Sequence, residues 1–364
     1  WKDWIDRRFM DQFSDLTPMA PPAVPAQIAD GVRESLGSAP LCGGCGAKVP
    51  ATDLRAALTS IPRTARTDVL TGPGDDAALI RIGGQVQSLT TDHFRAFWDD
   101  PYALARIAAI HAMGDIWAMG GTPQAALSSI ILPRTADALS ASMMSDVLAG
   151  AAEAFAAEDV ALVGGHSSVG AELTVGFTVT GFHDGTPIGL AGARPGDAIL
   201  LTKPLGTGTS LAGEMRLAAR GGEVAAALSS MQDSSAEAAR ALAPVAQAMT
   251  DVPGFGLAGH VMELLRASGL GAEIDLGALP LLPGAERLAT LGVRSSLYPA
   301  NRANVPDLDP GEDARAHLLF DPQTAGGLLA CVAVEDVGDL VAPNGPATRI
   351  GTITDGTQLR VTSA

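Results

Sequence analysis

The sequence predicts an α/β (α+β) protein with two domains, and three observations predict it. Apolar strand-like runs alternate with stretches of helical periodicity along most of the chain. A boundary near 190–205 divides that alternation into two halves. The 364 residues suffice for two α/β domains of ordinary size or one large one. Hydrophobic residues make up 47% of the chain and aromatic ones only 4%, so Ala, Leu and Val must supply most of the core. The net charge of −16 argues against a nucleic-acid partner, because phosphate contacts need clustered Lys and Arg. It does not argue against ATP, whose charge a metal, one lysine and backbone amides can handle locally. Three cysteines make no secreted disulfide framework. With neither a signal-peptide pattern nor a run of eighteen apolar residues, the expectation is a soluble, cytoplasmic protein with no transmembrane segment.

Taken in order, residues 1–15 place Trp1, Trp4, Ile5, Phe9 and Phe13 on one face of a helix. Such an aromatic face docks on its own protein, on a partner or on a membrane surface. Pro18, Pro21, Pro22, Pro25 and Pro40 then mark a Pro/Ala-rich linker, assigned to 20–40. Leu54–Ile61 reads as helix. Ala77–Ile82 and Gln85–Thr91 read as strands joined across Gly83-Gly84, and Tyr102–Met119 as a helix with small faces for close packing. A strand at Ala125–Leu132, a helix at Asp137–Ala157 and a strand at Val160–Val163 lead into Gly164-Gly165-His166-Ser167-Ser168, expected as a turn. Strands at Leu173–Gly181 and Asp197–Thr202 follow. Helices are expected at Ser210–Ala219, Ala236–Met249 and Leu257–Ser268, and closing strands at Gly327–Val334 and Thr348–Ile353.

Chemistry concentrates first in Leu41-Cys-Gly-Gly-Cys-Gly-Ala-Lys-Val-Pro50. Glycines let the backbone approach a ligand closely, and a thiol beside a cation ionises more readily. The stretch reads as a mobile loop with a nucleophile and a phosphate-seeking lysine. A plain turn, a CxxC disulfide and half a zinc site stay open on these residues alone. Asp75, Asp76, Asp92, Asp115 and Asp251 sit beside glycines and apolar runs, expected in loops. Mg²⁺ takes one or two carboxylates with waters and substrate phosphates, and several aspartates can hold more than one metal on a triphosphate. Each aspartate taken singly is better explained by an N-cap or Asx-turn, the commoner role of a loop aspartate. Glycines at 164 and 165 would let a phosphate or base approach backbone donors. No GxxxxGK[ST] is present, and no GxGxxG is expected to open a helix after a strand, because the stretch before Gly254-Phe-Gly-Leu-Ala-Gly259 is read as helix; a P-loop and a Rossmann site are thus unsupported.

Eight stretches in order give the chain a resemblance to the selenophosphate synthetase (selenide, water dikinase) family. They are Gly44–Lys48, Asp75–Ala78, Thr90–Asp92, Arg106–Ala109 leading to Asp115, Ala118–Gly121, Gly164–Ser167, Gly254–His260 and Asp321–Leu329. The resemblance runs from about Leu41 to the C-terminus. It implies ATP-dependent synthesis of selenophosphate from selenide and water, releasing AMP and phosphate. It also implies the two-domain fold of aminoimidazole ribonucleotide synthetase, with N-terminal sheets pairing in a homodimer and ATP near the interface. The implied domains are 41–195, which binds ATP and carries the catalytic loop, and 196–364. By motif, Cys45 and Lys48 are implied as catalytic, and Asp76, Asp115 and Asp251 as Mg²⁺ ligands. Lys48, the turn Pro73-Gly74-Asp75, Asp92, Asp115, Gly165, His166 and Ser167 are implied as ATP contacts.

Residues 1–19 resemble the C-terminal end of an NADH-dehydrogenase-like pyridine nucleotide-disulfide oxidoreductase. The chain is therefore expected to be the later half of a fusion with that flavin enzyme, which would also allow membrane-peripheral placement through the fused partner. Departures from the family pattern are Ala47 for a second loop cysteine, the additional Cys42, and His111 and Gly114 where Asn and Ser are common. A Cys42–Cys45 disulfide would silence the nucleophile. His111 and Gly114 bear on the acceptor, so an enzyme using sulfide or another small nucleophile is an alternative. A non-catalytic ATP-binding module serving the oxidoreductase is another.

Overall fold

The computed structural model describes residues 44–49, 51–61, 66–72 and 74–362. The expected N-terminal helix, the linker, Cys42 and Pro73 lie outside the described residues. A short 3-10 turn at Gly44–Ala47 precedes helix α1 (Ala51–Leu58). Strands β1 (Ala78–Ile82) and β2 (Gln85–Arg95) form a hairpin at Gly83-Gly84, both with positive φ, as a two-residue hairpin turn demands. Helix α2 (Pro101–Ala118) starts at Asp100, whose carboxylate accepts from the Tyr102 and Ala103 amides. Then come β3 (Thr122–Pro133), α3 (Asp137–Ala157), β4 (Ala161–Gly170) and β5 (Thr174–His183). The sheet order is β1-β2-β5-β3-β4. Only β3 and β4 run parallel in it, because α3 provides the crossover a parallel pair needs.

The second sheet has the order β11-β8-β10-β6-β9-β7. Its strands are β6 (Ala198–Leu201), β7 (Ala246–Asp251), β8 (Gly271–Asp275), β9 (Leu328–Val332), β10 (Thr348–Thr354) and β11 (Leu359–Thr362). Between them lie α4 (Thr207–Met215), α5 (Gly221–Gln232), α6 (Ala236–Leu242), α7 (Gly256–Ser268), α8 (Ala285–Thr290), α9 (Tyr298–Asn304) and α10 (Ala314–Leu318). The fully buried β6 and β9 are continuous apolar runs, AILL and LLACV, as strands covered on both faces are. Among the described residues no helix is long and apolar enough to cross a membrane.

Two expectations need correction. Ala236–Met249 is not one helix: α6 stops at Leu242 and the chain re-forms as β7, paired with β9. Pro244 cannot supply the amide a continuing helix requires. The Gly164–Ser168 stretch is not a turn but the middle of β4, in register with Leu127–Ile131 of β3. A Cβ at Gly165 would lie 2.2 Å from the Ser128 carbonyl oxygen, so the glycine serves close strand approach.

Helix α2 is buried along nearly its whole length, from Leu104 to Ala118. It packs on β2 and β5, on α3, and on β7 and α5 of the second half. A helix buried on nearly every side has little solvent face to offer, and this one joins the two halves. Small residues make that possible: a Cβ at Gly150 of α3 would fall 2.2 Å from the Tyr102 carbonyl oxygen.

Candidate active site

Period two in β2 and period 3.6 in α2 bring the site's polar groups face to face. Ser88, Thr90, Asp92 and Phe94 share the inward face of β2, while Thr91 and His93 point out to solvent. His111 and Asp115 are four residues apart on α2 and so lie on one side of it. The Thr90 hydroxyl donates to Asp115 Oδ2, and the Phe94 ring lies 4.7 Å from the His111 ring. Asp92 and Asp115 therefore stand within a strand and a helix, not in the loops expected of them. Asp251 ends β7, and Thr250 beside it donates to Asp76 Oδ1 at 2.9 Å.

These groups surround a cavity of about 1300 Å³ between the two halves. Lys48, Gly74, Asp75, Asp76, Thr90, Asp92, Asp115, Asp251, Phe255, His260 and Glu263 line it. Gly74 (φ +123°) turns the chain into it from the N-terminal half. Of the residues singled out from the sequence, Lys48, Gly74 and all five aspartates thus converge. Gly165, His166 and Ser167 do not line this cavity; they lie on the largely exposed β4, at the far edge of the first sheet.

Cys45 lies beneath the cavity, completely buried and a free thiol. Its amide donates to Thr324 Oγ1 at 3.2 Å, and its Sγ is 3.7 Å from His111 Nε2. Burial pushes the thiol up to about 12, against the opposing pull of Lys48, so the seated cysteine is protonated. Burial likewise lowers His111 to about 4 and keeps the imidazole neutral, although Asp92 Oδ1 is 3.8 Å from Nε2. The Lys48 ammonium stands 3.6 Å from Asp92 Oδ1. Burial alone would lower Lys48, but Asp92, Cys45, Asp115 and Asp251 override it and hold the ammonium above its ordinary value. Burial works against an ionised Asp92 as well, and Lys48 and His111 outweigh it to keep this carboxyl below the usual range.

The other carboxylates are only partly compensated, by the Thr250 and Thr90 hydroxyls and, for Asp251, by Lys48. Burial, then repulsion from Asp251, raises Asp76 well above the ordinary range; burial, then Asp92 and Asp251, does the same to Asp115. Burial pushes Asp251 up to about 7. Asp76 Oδ2 and Asp251 Oδ1 are buried without a hydrogen-bond partner. Hard oxygen donors with unspent lone pairs and mutual repulsion fit a divalent cation such as Mg²⁺. Among the described residues no three acidic, histidine or cysteine groups are drawn together as a metal cluster, so a cation held here would take further ligands from outside the protein. Gly114 faces Asp251: a Cβ on it would stand 3.5 Å from Asp251 Oδ2, an ordinary contact that leaves room for a side-chain methyl group.

Sequence reasoning gave no role to His260, Thr250 or Thr324. His260 lies inside the stretch Gly254–His260, buried and facing the cavity with the Phe255 ring 5.6 Å away. Thr324 lies inside Asp321–Leu329. A motif marks such residues as a group without separating what each one touches.

Comparison with known proteins follows the same division of the chain. Residues 74–183 match the model of the AIR synthase related protein N-terminal domain, and 194–363 that of its C-terminal domain. A selenide, water dikinase of Nitratidesulfovibrio vulgaris is 38% identical over 332 residues, covering 85% of this chain and 93% of the relative. That of Bdellovibrio bacteriovorus is 37% identical over 314 residues, covering 82% and 88%. Among solved structures, thiamine monophosphate kinase from Aquifex aeolicus superposes with a TM-score of 0.61 at 20% identity, covering 86% of this chain and 97% of that one. Hydrogenase maturation protein HypE, solved in complex with ATP, gives 0.58 at 19%, covering 84% and 86%. At those identities the structural likeness establishes the two-domain AIR synthase-like α/β fold.

Proposed function

The chain belongs to the selenide, water dikinase family, and from that premise we propose how its site performs the family's reaction. The activity is ATP-dependent synthesis of selenophosphate from selenide and water, with release of AMP and phosphate. The observation that carries the assignment of residues is the convergence of Lys48 and five aspartates on one cavity with a sealed cysteine beneath it. In this reading the cavity holds the triphosphate. Asp76, Asp115 and Asp251 would hold Mg²⁺, which when bound offsets charge on the phosphate oxygens. Lys48 stays charged because Asp92 stays ionised, and it adds a fixed positive charge over the phosphates. Gly74 and Asp75, with Pro73 before them, form the turn that borders the nucleotide. Cys45 meets the selenide when the loop opens and is returned, protonated, to a site from which water is excluded.

Purified protein given Mg²⁺, ATP and selenide without oxygen should release AMP and phosphate in a selenide-dependent way. Cys45→Ser should lose that turnover and keep ATP binding. Turnover with sulfide but not selenide would move the acceptor, and ATP binding without turnover on any acceptor would sink the enzymatic reading.

We also propose that two copies pair through β4, which would carry Gly165, His166 and Ser167 to a nucleotide site near the interface. In support, β4 is a ten-residue edge strand with Val163 and Val169 exposed by 63% and 68%. A long exposed apolar edge is a ready template for pairing. Residues 1–19 are proposed to derive from an upstream oxidoreductase domain, supported by their aromatic periodicity and the proline-rich stretch after them. Reading the gene upstream of the codon for Trp1 tests that point.

A further inference from the structure

We propose that Thr324 is a positioning residue: it is the seat on which the second half of the protein holds the Cys45 loop closed. The Thr324 hydroxyl oxygen accepts the Cys45 amide at 3.2 Å, across 279 residues of sequence. Behind it stands a buried network. The Thr324 amide donates to Thr207 Oγ1 at 2.9 Å, and that hydroxyl donates to Gln323 Oε1 at 3.2 Å. Gln323 Oε1 also accepts the Gly206 and Thr207 amides at the start of α4, at 2.9 and 3.1 Å. The Gln323 amide group donates to Asp321, and Thr209 donates to the same carboxylate at 2.8 Å. Asp321, Gln323 and Thr324 are each no more than 2% exposed. A network this satisfied holds its members in one arrangement. The Thr324 hydroxyl is the group through which it reaches the loop.

Backbone features fit the same role. Ala325 adopts φ +47°, a left-handed conformation costly for a side chain, immediately after the seat. A Cβ at Gly326 would lie 2.0 Å from the Val252 carbonyl oxygen, so this turn also packs on the residue next to Asp251. On the loop side, Gly44 has φ +58°, and a Cβ there would stand 2.8 Å from Thr324 Oγ1. Loop and seat are shaped to one another. When the loop lifts, water satisfies the Cys45 amide; when it closes, only the threonine oxygen does, so deleting that oxygen favours the open form.

The test follows modification of Cys45 by N-ethylmaleimide, read by peptide mass spectrometry on the whole protein without ATP. Thr324→Val should raise the Cys45 rate about tenfold or more, and Thr324→Ser should stay within about twofold of wild type. Cys331, buried in the second core, reports global unfolding and should keep its rate. Gly44→Ala sets a methyl group against Thr324 Oγ1 and the Phe97 ring at a left-handed backbone position, and should raise the Cys45 rate as Thr324→Val does; combined, the two should fall short of additivity because part of the effect is shared at the seat. Unchanged Cys45 rates in both variants, or an equal rise at Cys331, would overturn the seat. A second readout rests on the catalytic assignment of Cys45: kcat for selenide-dependent AMP should fall in Thr324→Val while KM for ATP stays within about twofold, as for a lost positioning contact. Wild-type protein that makes no AMP would refute that assignment, and the modification rates would still decide the seat.

Discussion

Single side chains here work by holding neighbours in one charge state. Lys48 and Asp92 are the plainest pair: each is kept ionised by the other against burial, with side chains 32% and 17% exposed. Lys48→Met should let Asp92 take up protons at higher pH and remove the charge over the phosphates. Selenide-dependent AMP formation should drop by about two orders of magnitude, the usual effect of losing one fixed electrostatic donor. Isothermal titration should show ATP binding weakened far less; an equal loss in both would mean that Lys48 only binds. Much of this site was legible from residues: the glycine loop, its lysine and the aspartates were all singled out, because carboxylates beside glycines carry recognisable chemistry. His111 was visible only as a departure. Its contact with Cys45 depends on the Gly44–Ala47 turn being seated against α2, which one-dimensional spacing does not encode.

At the scale of elements, close packing decides the geometry. Helices α2 and α3 approach through Gly150, which leaves no room for a methyl group. Gly150→Ala should cost about 1–3 kcal/mol in denaturant unfolding, the usual penalty of overpacking, despite alanine's better helix propensity. A stabilised variant would show that the helices have slack. The expected helix at 137–157 coincides with α3, and most other elements fall within a few residues of their expected positions. The failures have physical causes. Alanine-rich Ala236–Met249 favours a helix locally, and pairing with β9 overrides that preference beyond Pro244. Glycines in β4 suggested a turn because nothing local reveals that a neighbouring strand presses against them.

For the whole molecule, the buried carboxylates couple stability to pH and to Mg²⁺. Asp251 titrates at about 7 when folded and near 3.8 when not, and Asp76 and Asp115 shift the same way. The folded state therefore holds more protons than the unfolded one in that window, and metal-free protein loses stability as pH rises through 7. His111 and His260, lowered to about 4 and 3, act oppositely but only below their unfolded value of 6.5. Lys203, lowered to about 8, reverses the trend above that pH. Between pH 6.5 and 8 in EDTA the thermal midpoint should thus fall, with a slope of at most about 1.4 kcal/mol per pH unit for each carboxylate. Mg²⁺ or Asp251→Asn should flatten it, and a flat profile in EDTA would refute the raised carboxylates. Pairing through β4 belongs to this scale too. Val169→Lys should convert a dimer to a monomer by sedimentation, and a wild-type monomer at micromolar concentration would end that proposal.

The complete enclosure of Cys45 has a consequence for survival in the presence of oxidants. A protonated thiol with no solvent contact reacts slowly with peroxide, and sulfenic acid formation needs an exposed thiolate. Under the role proposed for Cys45, each turnover that admits selenide uncovers that sulfur, so oxidative damage should accumulate per catalytic cycle and not per hour of storage, and protein aerated during turnover should lose activity faster than protein aerated idle.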